Sequence, residues 1–402
     1  MPPILIIGAG IGGLTLAQHL STHSIPFEIY ERDPSLTSRL QGFRLKIPPE
    51  TSARLQQAIT PLAWETLVRT SAACEAGETN LNAVDGSVSA CRRERLPPGV
   101  EAPLAVDRGL LRLALAEGIV QHVFFGKRLV SWQLVGDDAV KASFQDGSSV
   151  LGSLLVGADG ARSVIRRGLL PGSEPSDTSI CCIYGKTTLD AVLEARFPEH
   201  HRRWLTVVHD QTPAIQSIIA RRTTPITMVC EPCRFSNRDT YKHLPADYVH
   251  FGILFPRSLL GSHLSDHDVD GMLRDQAPEL ALEVTSEWHP SIRSLIELQS
   301  CQLTSGMRVF SAPVQIPVWD GSGRVTMIGD AVHLMSPAGG VGATATLEDA
   351  ILLGSVISEK GISRASISSF EQRMRESAAG YIRRSLLAGN RFLDLPYNEE
   401  TS

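Results

Sequence analysis

The start of the chain constrains its fold most: an apolar segment, a glycine-rich turn, a helical pattern and a second apolar segment. Residues 4–7 are apolar and lead into Gly8-Ala-Gly10-Ile-Gly12-Gly13. Residues 27–30 then form a predicted second strand, which ends at Glu31. A GxGxxG turn between a strand and a helix, with an acidic residue about 20 positions later, is the fingerprint of a dinucleotide-binding βαβ unit. The segment therefore predicts a Rossmann-type domain.

Each glycine of this turn has a separate expected role. Gly8 allows the tight turn, Gly10 lets the backbone approach a pyrophosphate, and Gly13 lets the helix and strand pack closely. The carboxylate of Glu31 can accept hydrogen bonds from an adenosine ribose. The predicted nucleotide-binding residues of this segment are Gly8, Gly10, Ile11, Gly12, Gly13 and Glu31.

A second glycine-rich turn occurs in the middle of the chain. Residues 140–144 and 149–156 predict two strands joined by a turn, and they lead to Gly157-Ala-Asp-Gly-Ala-Arg-Ser163 before a helical segment. Asp159 either caps that helix or lies beside the nucleotide phosphates. The sequence alone leaves both interpretations open.

The third glycine-rich stretch runs from Gly329 to Gly354 and follows the apolar residues 324–328, which predict a buried strand. It runs into an apolar-periodic segment that predicts a helix. Unpaired backbone N–H groups and the positive end of that helix can face an anion or an electron-rich ring. Asp330 is the polar exception where the strand ends. We expect the reactive end of a bound cofactor at this stretch.

A β-rich region separates the second turn from the third. Predicted strands occupy residues 181–189, 205–208, 214–220, 226–230 and 248–255. An inserted sheet of this kind can cover a cofactor and shape a substrate cavity. We therefore predict an α/β chain with three parts. These are a Rossmann-type dinucleotide-binding domain in two pieces, 1–178 and 310–402 with C-terminal helices, and an inserted β-sheet substrate region at 179–309.

Several cations are candidate cofactor contacts. Asp107 is a predicted N-cap, and Arg108 follows in the first turn of an apolar helix. A cation there opposes the helix dipole, so Arg108 needs an external partner, which is either the cofactor or a carboxylate elsewhere in the fold. Arg44 and Lys46 either contact phosphates or lie on a solvated surface.

Composition excludes several other classes of protein. The 402 residues carry a net charge of −5, which gives no electrostatic footprint for nucleic acid. No uncharged apolar run reaches the length of a membrane span, and the N-terminus lacks the basic segment of a signal peptide, so we expect a cytoplasmic protein. The arginine-rich C-terminal segment leaves peripheral membrane contact open.

Cysteines and acidic residues offer two weaker interpretations. The seven cysteines favour a reducing compartment, and the Cys230-Glu-Pro-Cys233 motif is either a redox or metal pair or two buried strand cysteines. Ser265-Asp-His-Asp268 is a predicted polar helix start rather than a metal site. No metal is expected.

The three turns in this order, GAGIGG with Glu31, GADGARS and GDAVHLMSP with its glycine-rich helix start, resemble the FAD-dependent aromatic hydroxylases. These are single-component flavoprotein monooxygenases of the para-hydroxybenzoate hydroxylase type. The resemblance implies that Arg32 and Arg108 assist the first turn in holding the ADP part of FAD, with Arg44 a further candidate. It also implies that Asp159 serves both FAD and the nicotinamide cofactor, and that Asp330 binds the ribityl or pyrophosphate region. The isoalloxazine would be lined by Pro337, Gly339, Gly340, Val341, Gly342 and Ala343.

The resemblance also implies the reaction. NAD(P)H would bind transiently, and the reduced flavin with O2 would hydroxylate or epoxidise an aromatic or polycyclic small molecule through a C4a-hydroperoxide. Lys186 is a candidate polar group facing the substrate. Thr344 stands where the family usually has asparagine, and it is the one hint of the alternative, a flavin-binding sensor or partner-binding module without turnover. Substrate identity, Baeyer–Villiger chemistry, NADH or NADPH preference and oligomeric state are left open.

Overall fold

The computed structural model describes residues 2–38, 43–93, 101–209, 225–241 and 244–393. Its strands form a five-stranded sheet, a seven-stranded sheet and two smaller sheets of three and two strands. The strands are β1 (Ile4–Ile7), β2 (Phe27–Tyr30), β3 (Arg44–Ile47), β4 (Gly77–Asn82), β5 (Val88–Arg93), β6 (Leu104–Asp107), β7 (Val123–Phe124), β8 (Leu129–Val135), β9 (Ala139–Phe144), β10 (Ser149–Gly152), β11 (Leu154–Gly157), β12 (Ser176–Thr188), β13 (Leu205–His209), β14 (Thr227–Cys233), β15 (Tyr248–Pro256), β16 (Ser305–Ser311) and β17 (Val325–Met327).

Helices connect the strands and pack against the sheets. The last helix is 30 residues long, as the helical pattern of the C-terminal segment predicts. The helices are α1 (Ile11–Thr22), α2 (Pro49–Ala58), α3 (Pro61–Arg69), α4 (Arg108–Ala116), α5 (Val164–Leu169), α6 (Ala191–Arg196), α7 (Asp266–Asp275), α8 (Ala277–Val284), α9 (Pro290–Glu297), α10 (Asp330–His333), α11 (Gly342–Lys360) and α12 (Arg364–Leu393). None of the helices in the described ranges combines the length and apolar character needed to cross a bilayer.

The five-stranded sheet is parallel and has the order β17-β11-β1-β2-β7. Strand β1 is apolar throughout and buried at every position, as expected for a central strand with helices on both faces. Parallel strands end at the same edge of a sheet, so the segments that follow β1, β2, β11 and β17 come together there. This arrangement confirms the predicted Rossmann-type α/β fold.

The seven-stranded sheet has the order β16-β12-β15-β14-β13-β4-β5 and is mostly antiparallel. One of its faces packs on α7, α8 and α9 in a second hydrophobic core, which includes Phe251, Ile253 and Leu273. The predicted strands around 181–189, 205–208, 226–230 and 248–255 all occur in this sheet. The strand predicted at 214–220 lies outside the described residues.

The domain boundaries differ from the prediction. Strand β12 begins at Ser176, ahead of the predicted boundary, and β4 and β5 bring residues 77–93 into the seven-stranded sheet. The sequence GETNLN of β4 is too polar to signal a sheet strand, and its place depends on parallel pairing with the distant β13. The 1–178 segment therefore contributes to both domains.

The structure clarifies two local features of the sequence. Ser265 and Asp268 form a capping box at the start of α7, so these residues begin a helix. Cys230 and Cys233 are buried in β14, and neither is in a disulfide. Within the described part of the chain, no group of three or more His, Cys, Asp or Glu side chains has the arrangement of a metal site.

Candidate functional site

The three glycine-rich turns meet at the carboxyl edge of the parallel sheet. Gly8 follows β1 in a left-handed conformation with φ of +107°, and a Cβ at this position would lie 2.3 Å from the carbonyl oxygen of Ala158, in the turn after β11. Gly329 follows the neighbouring β17 and packs in the same close way on Thr346 of α11. The two ends of the chain and its middle thus build one site.

Within the first turn, neighbouring glycines face different surroundings. A Cβ on Gly13 would lie 2.1 Å from the carbonyl oxygen of Gly8, so α1 can approach β1 only with glycine here. A Cβ on Gly12 would meet Thr346 at 2.8 Å, which sets the contact between α1 and α11. Gly10, the N-cap residue of α1, has nothing within 4 Å of its Cβ position. The backbone at Gly10 is therefore open to a ligand.

Glu31 lies beside this opening and is fixed by the surrounding backbone. Its Oε2 accepts a hydrogen bond of 2.8 Å from the N–H of Ala9, and its Oε1 accepts one of 2.9 Å from the N–H of Asp33. The buried Arg112 donates through Nε to the carbonyl oxygen of Ala9 at 2.6 Å and lies 3.3 Å from Glu31 Oε2. These bonds hold the carboxylate next to the turn that would carry the phosphates.

Arg112 was not among the predicted site residues. The available signal was a cation on the apolar stripe of α4, four positions after Arg108. A buried arginine needs hydrogen-bond partners. Arg112 donates to the carbonyl oxygens of Ala9 and Leu36. Both lie at the carboxyl edge of the parallel sheet, which we call the cofactor edge.

Asp159 has one of the two roles that the sequence left open, that of a helix cap. Its Oδ2 accepts a 2.8 Å hydrogen bond from the N–H of Val164, so it caps α5 together with Ser163. Its Oδ1 is sealed from solvent and has no hydrogen-bond partner among the described residues. Burial raises the pKa of Asp159 and outweighs the hydrogen bonds that lower it. The free oxygen lies at the edge where the three turns meet.

Asp330 begins α10 and keeps an exposed side chain, although protein surrounds it on most sides. This combination places the carboxylate in a cleft. Reduced hydration raises the pKa of Asp330, whereas the nearby charges of His333 and Arg108 lower it. Arg108, from α4, and Asp330, from the third turn, therefore face the same cleft.

Arg108 is well placed for an external partner. Its guanidinium lies 5.6 Å from the centre of the Phe43 ring and forms no ion pair with a residue in the described ranges. The Arg32 side chain, next to Glu31, is exposed and likewise forms no ion pair within those ranges. Both arginines keep their charge available at the cofactor edge.

Arg44 and Lys46 do not behave as predicted. Arg44 is buried and forms an ion pair with Glu231 of β14, and Lys46 pairs with the same carboxylate at 2.9 Å. Strand β3 thus directs both cations toward the seven-stranded sheet, so the structure gives Arg44 a structural partner in place of a phosphate. Glu231 lies 187 positions from Arg44 in the sequence, which hid the pairing.

Lys186 also has a different environment from the one predicted. Its Nζ lies 2.5 Å from Oδ2 of Asp107, and the hydroxyl of Tyr248 donates to the same oxygen at 2.7 Å. Burial alone would raise the pKa of Asp107, but Lys186, Tyr248 and the N–H of Leu110 together lower it. The ammonium is held in a buried pair, so Lys186 joins the two domains and is not offered to a substrate.

The turn predicted to face the flavin ring combines a packed residue and an open one. Gly339 packs on Ser385 of α12, where a Cβ would lie 2.7 Å from Oγ, whereas Gly340 has φ of +62° and nothing within 4 Å of its Cβ position. Helix α11 follows, and its N-cap residue Val341 gives no side-chain cap. The first N–H groups of this helix are therefore available to a ligand. Thr344 is buried.

A buried pair behind this turn was also missed by the sequence analysis. His333 Nε2 lies 2.5 Å from Oδ2 of Asp349 on α11, and the same oxygen accepts a hydrogen bond of 2.9 Å from the N–H of Gly329. Although burial lowers the pKa of His333, the adjacent Asp349 outweighs this effect and raises it. The pair ties the third turn to the helix that begins at the ring site.

The arrangement as a whole fits a flavin dinucleotide. It offers an open backbone at Gly10 for a pyrophosphate, a fixed carboxylate at Glu31 for a ribose, and uncapped helix N–H groups beyond Gly340 for an electron-rich ring. Asp159 Oδ1 supplies a buried polar atom without a hydrogen-bond partner among the residues that the structure describes.

Comparison with known proteins gives two family matches at these segments. A model of an NAD(P)-binding Rossmann-like domain matches residues 6–64, and a model of an FAD binding domain matches residues 318–383. They cover the first and third glycine-rich turns.

Similar sequences occur in fungi. The dual O-methyltransferase/FAD-dependent monooxygenase elcB of Phaeosphaeria nodorum is 39% identical over 96% of this chain, which covers 45% of that protein. This chain thus spans about half the length of elcB. The FAD-dependent monooxygenase thnD of Trichoderma harzianum is 28% identical, over 88% of this chain and 82% of its own length.

A similar fold occurs in a bacterial protein of known structure. A Photorhabdus luminescens protein described as an FAD-containing monooxygenase aligns with a TM-score of 0.79 and 25% identity, over 97% of this chain and 98% of its own. The sequence matches, the shared fold and the assembled glycine-rich turns together show that the chain belongs to the FAD-dependent monooxygenase family.

Proposed function

We propose that the protein is a monooxygenase that uses FAD, NAD(P)H and O2 to oxygenate an aromatic or polycyclic small molecule. The observation that carries this proposal is the meeting of three glycine-rich turns at one sheet edge, opposite a second sheet that can wall a substrate cavity. The names of the relatives elcB and thnD support the same reaction class.

The geometry of the site supports a specific set of proposed cofactor contacts. Gly8 to Gly13 and Glu31 would hold the ADP part, with Arg32 and Arg108 as additional cations. Asp159 and Asp330 would contact the middle of the cofactor, and Pro337 to Ala343 would line the ring. Arg44 is not among the proposed cofactor contacts because its guanidinium forms an ion pair with Glu231.

When bound, the reduced flavin supplies the activation of O2, so that one oxygen atom enters the substrate and the other leaves as water. The protein's own task is to orient the substrate and to exclude water. The N-terminus of α11 favours negative charge beside Gly342 and Ala343. This division of work explains why no paired carboxylates or nucleophile triad are needed.

The reaction is tested by mass spectrometry of products formed with NADPH, oxygen-18 gas and a panel of naphthols and other phenols. The proposal predicts incorporation of one labelled oxygen atom into a product. NADPH oxidation that yields hydrogen peroxide and no labelled product across the panel would contradict it. The alternative, a flavin-binding module without turnover, is distinguished at the reduction step. NADPH would fail to reduce its flavin under anaerobic conditions.

The cofactor assignment is tested separately with Asp330→Ala. Loss of a charged hydrogen-bonding group costs about 1.5–3 kcal/mol, so FAD affinity should fall by roughly tenfold to a hundredfold. Asp320→Ala is the matched control, because Asp320 lies in the same segment but pairs with Arg364 on the surface. Equilibrium FAD titration of the flavin-free proteins measures the effect, and equal affinities for both variants would refute the role of Asp330.

A further inference from the structure

The seven-stranded sheet turns one face of β15 toward the cofactor edge. Side chains alternate along a strand, and Phe251 and Ile253 belong to the core with α7, α8 and α9. His250, Gly252 and Leu254 therefore lie on the opposite face. Leu254 shares a small hydrophobic cluster with Ala338, which is in the turn proposed to line the flavin ring.

The middle of this face is open. A Cβ on Gly252 would meet nothing within 4 Å, although Gly252 sits between neighbouring strands and pairs in register with Tyr184 and Val229. From His250 to Leu254 the strand advances by about 13 Å. That length exceeds one benzene ring, so a flat molecule of fused rings lying over Gly252 would reach from His250 toward Leu254 and Ala338.

His250 presents an unused acceptor at the far end of this space. Its Nδ1 lies 3.1 Å from the carbonyl oxygen of Gly185, an acceptor, so Nδ1 must carry the proton. Nε2 is then an acceptor, and no residue in the described ranges donates to it. The ring is half-buried, and Phe43 lies beside it at 6.4 Å between centroids. An aromatic wall thus adjoins a single hydrogen-bond acceptor.

We propose that His250 Nε2 accepts a hydrogen bond from a phenolic hydroxyl of the substrate, which lies over Gly252 with its oxidised carbon toward the flavin end. This inference rests on the proposed function and specifies its substrate class as hydroxylated polycyclic aromatics. His250 is then a specificity-determining residue that selects a free hydroxyl over the corresponding methyl ether, and no proton is transferred in binding.

Burial, together with the charges around it, keeps His250 neutral. Arg44 of β3 and Lys186 of β12 disfavour a further positive charge, and Asp107 beside Lys186 has the opposite effect. Glu231 lies across from His250 on β14 but is already paired with Arg44 and Lys46. Burial is the largest effect and, with the cations, lowers the pKa of His250 to about 4. Selection of the hydroxyl should therefore be constant between pH 6 and pH 8.

The test measures equilibrium binding to the oxidised holoenzyme by calorimetry, without NADPH. The probes are 1-naphthol and 1-methoxynaphthalene. In the wild type, 1-naphthol should bind about tenfold to a hundredfold more tightly, because the ether leaves Nε2 desolvated and unpaired. In His250→Leu this preference should vanish. His250→Gln should restore part of it, since the amide oxygen can replace Nε2 as acceptor.

His267→Leu, on the exposed start of α7, is the matched control and should keep the wild-type preference. FAD content reports whether each variant is folded. An unchanged preference in His250→Leu, or a wild type that binds neither probe or both equally, overturns the inference. Because the measurement needs no turnover, its failure is distinct from absence of labelled product in the oxygen-18 experiment, which overturns the proposed activity instead.

Discussion

At the scale of single residues, the first turn shows that neighbouring glycines act through different physics. Gly13 is required by the fold, since any Cβ would overlap the carbonyl oxygen of Gly8. Gly10 has φ of −78° and open space around it, so the fold itself accepts a side chain there. We propose that this space receives the pyrophosphate of the cofactor.

This contrast predicts opposite outcomes for two variants. Gly10→Ala should lower the unfolding free energy of the flavin-free protein by less than about 1 kcal/mol, while reducing FAD affinity at least tenfold. Gly13→Ala should cost about 1–3 kcal/mol of stability through overpacking. Urea unfolding and FAD titration measure the two effects. Wild-type FAD affinity in Gly10→Ala would show that no pyrophosphate approaches this residue.

At the scale of elements, the two domains are joined by a buried ion pair. Asp107 ends β6 and caps α4, so that its Oδ1 accepts from the N–H groups of Gly109 and Leu110 while its Oδ2 binds Lys186 of β12. Helix α4 also carries Arg108. The pair therefore links the seven-stranded sheet to the position of a proposed cofactor contact.

Removal of one partner should be more harmful than removal of both. Lys186→Met leaves Asp107 buried without its countercharge and should lower the free energy of unfolding by about 3–5 kcal/mol. Lys186→Met combined with Asp107→Asn, which keeps an acceptor for the helix cap, should cost less than Lys186→Met alone. A double-mutant cycle in urea measures the coupling. If the changes in unfolding free energy of the two single variants add up to that of the double variant, the pair contributes no specific interaction.

Helix α12 carries a second element-scale feature, the buried Glu371. The side chain is 5% exposed, and burial raises its pKa to about 7, although nearby Arg375 opposes the shift. Because the folded-state pKa lies above the unfolded value of 4.5, ionisation is disfavoured in the folded protein. Stability should therefore fall as the pH rises from about 4.5 to about 7.

Replacement of Glu371 tests this pH dependence. Glu371→Gln should raise the unfolding free energy by about 1–3 kcal/mol at pH 8, where the native carboxylate is charged, and should have little effect at pH 5. Glu376→Gln, on the exposed face of the same helix, is the control and should leave the pH dependence unchanged. A gain for Glu371→Gln that is equal at both pH values would rule out ionisation as its cause.

At the scale of the whole molecule, the sequence predicted the features that depend on neighbouring residues, namely strands, turns and helix caps. The strands and turns around Gly8, Asp159 and Asp330 follow from apolar runs and glycine spacing, as do the caps at Asp107 and Ser265. Pairings between distant segments could not be predicted. Lys186 meets Asp107 across 79 positions, and nothing near either residue in the sequence indicates the other.

The same reason explains why the domain boundary and the proposed substrate contact at His250 could not be predicted from the sequence. Strand β4 pairs with β13 from more than a hundred positions away, so its membership of the seven-stranded sheet depends on topology. His250 becomes a candidate contact only when the strand register places it beside Lys186 and the fold brings the Phe43 ring next to it. The cofactor edge was thus predictable from motifs, whereas the substrate wall required the assembled fold.

The most direct test of the central claim, that the three glycine-rich turns form one FAD site, is a crystal structure of the protein with FAD bound. We expect the ribose of the ADP part at Glu31, the pyrophosphate at Gly10, and the flavin ring at Pro337 to Ala343 facing Gly252 of β15. A flavin ring bound away from the turn at Gly340, or a pyrophosphate that does not contact the first turn, would contradict it.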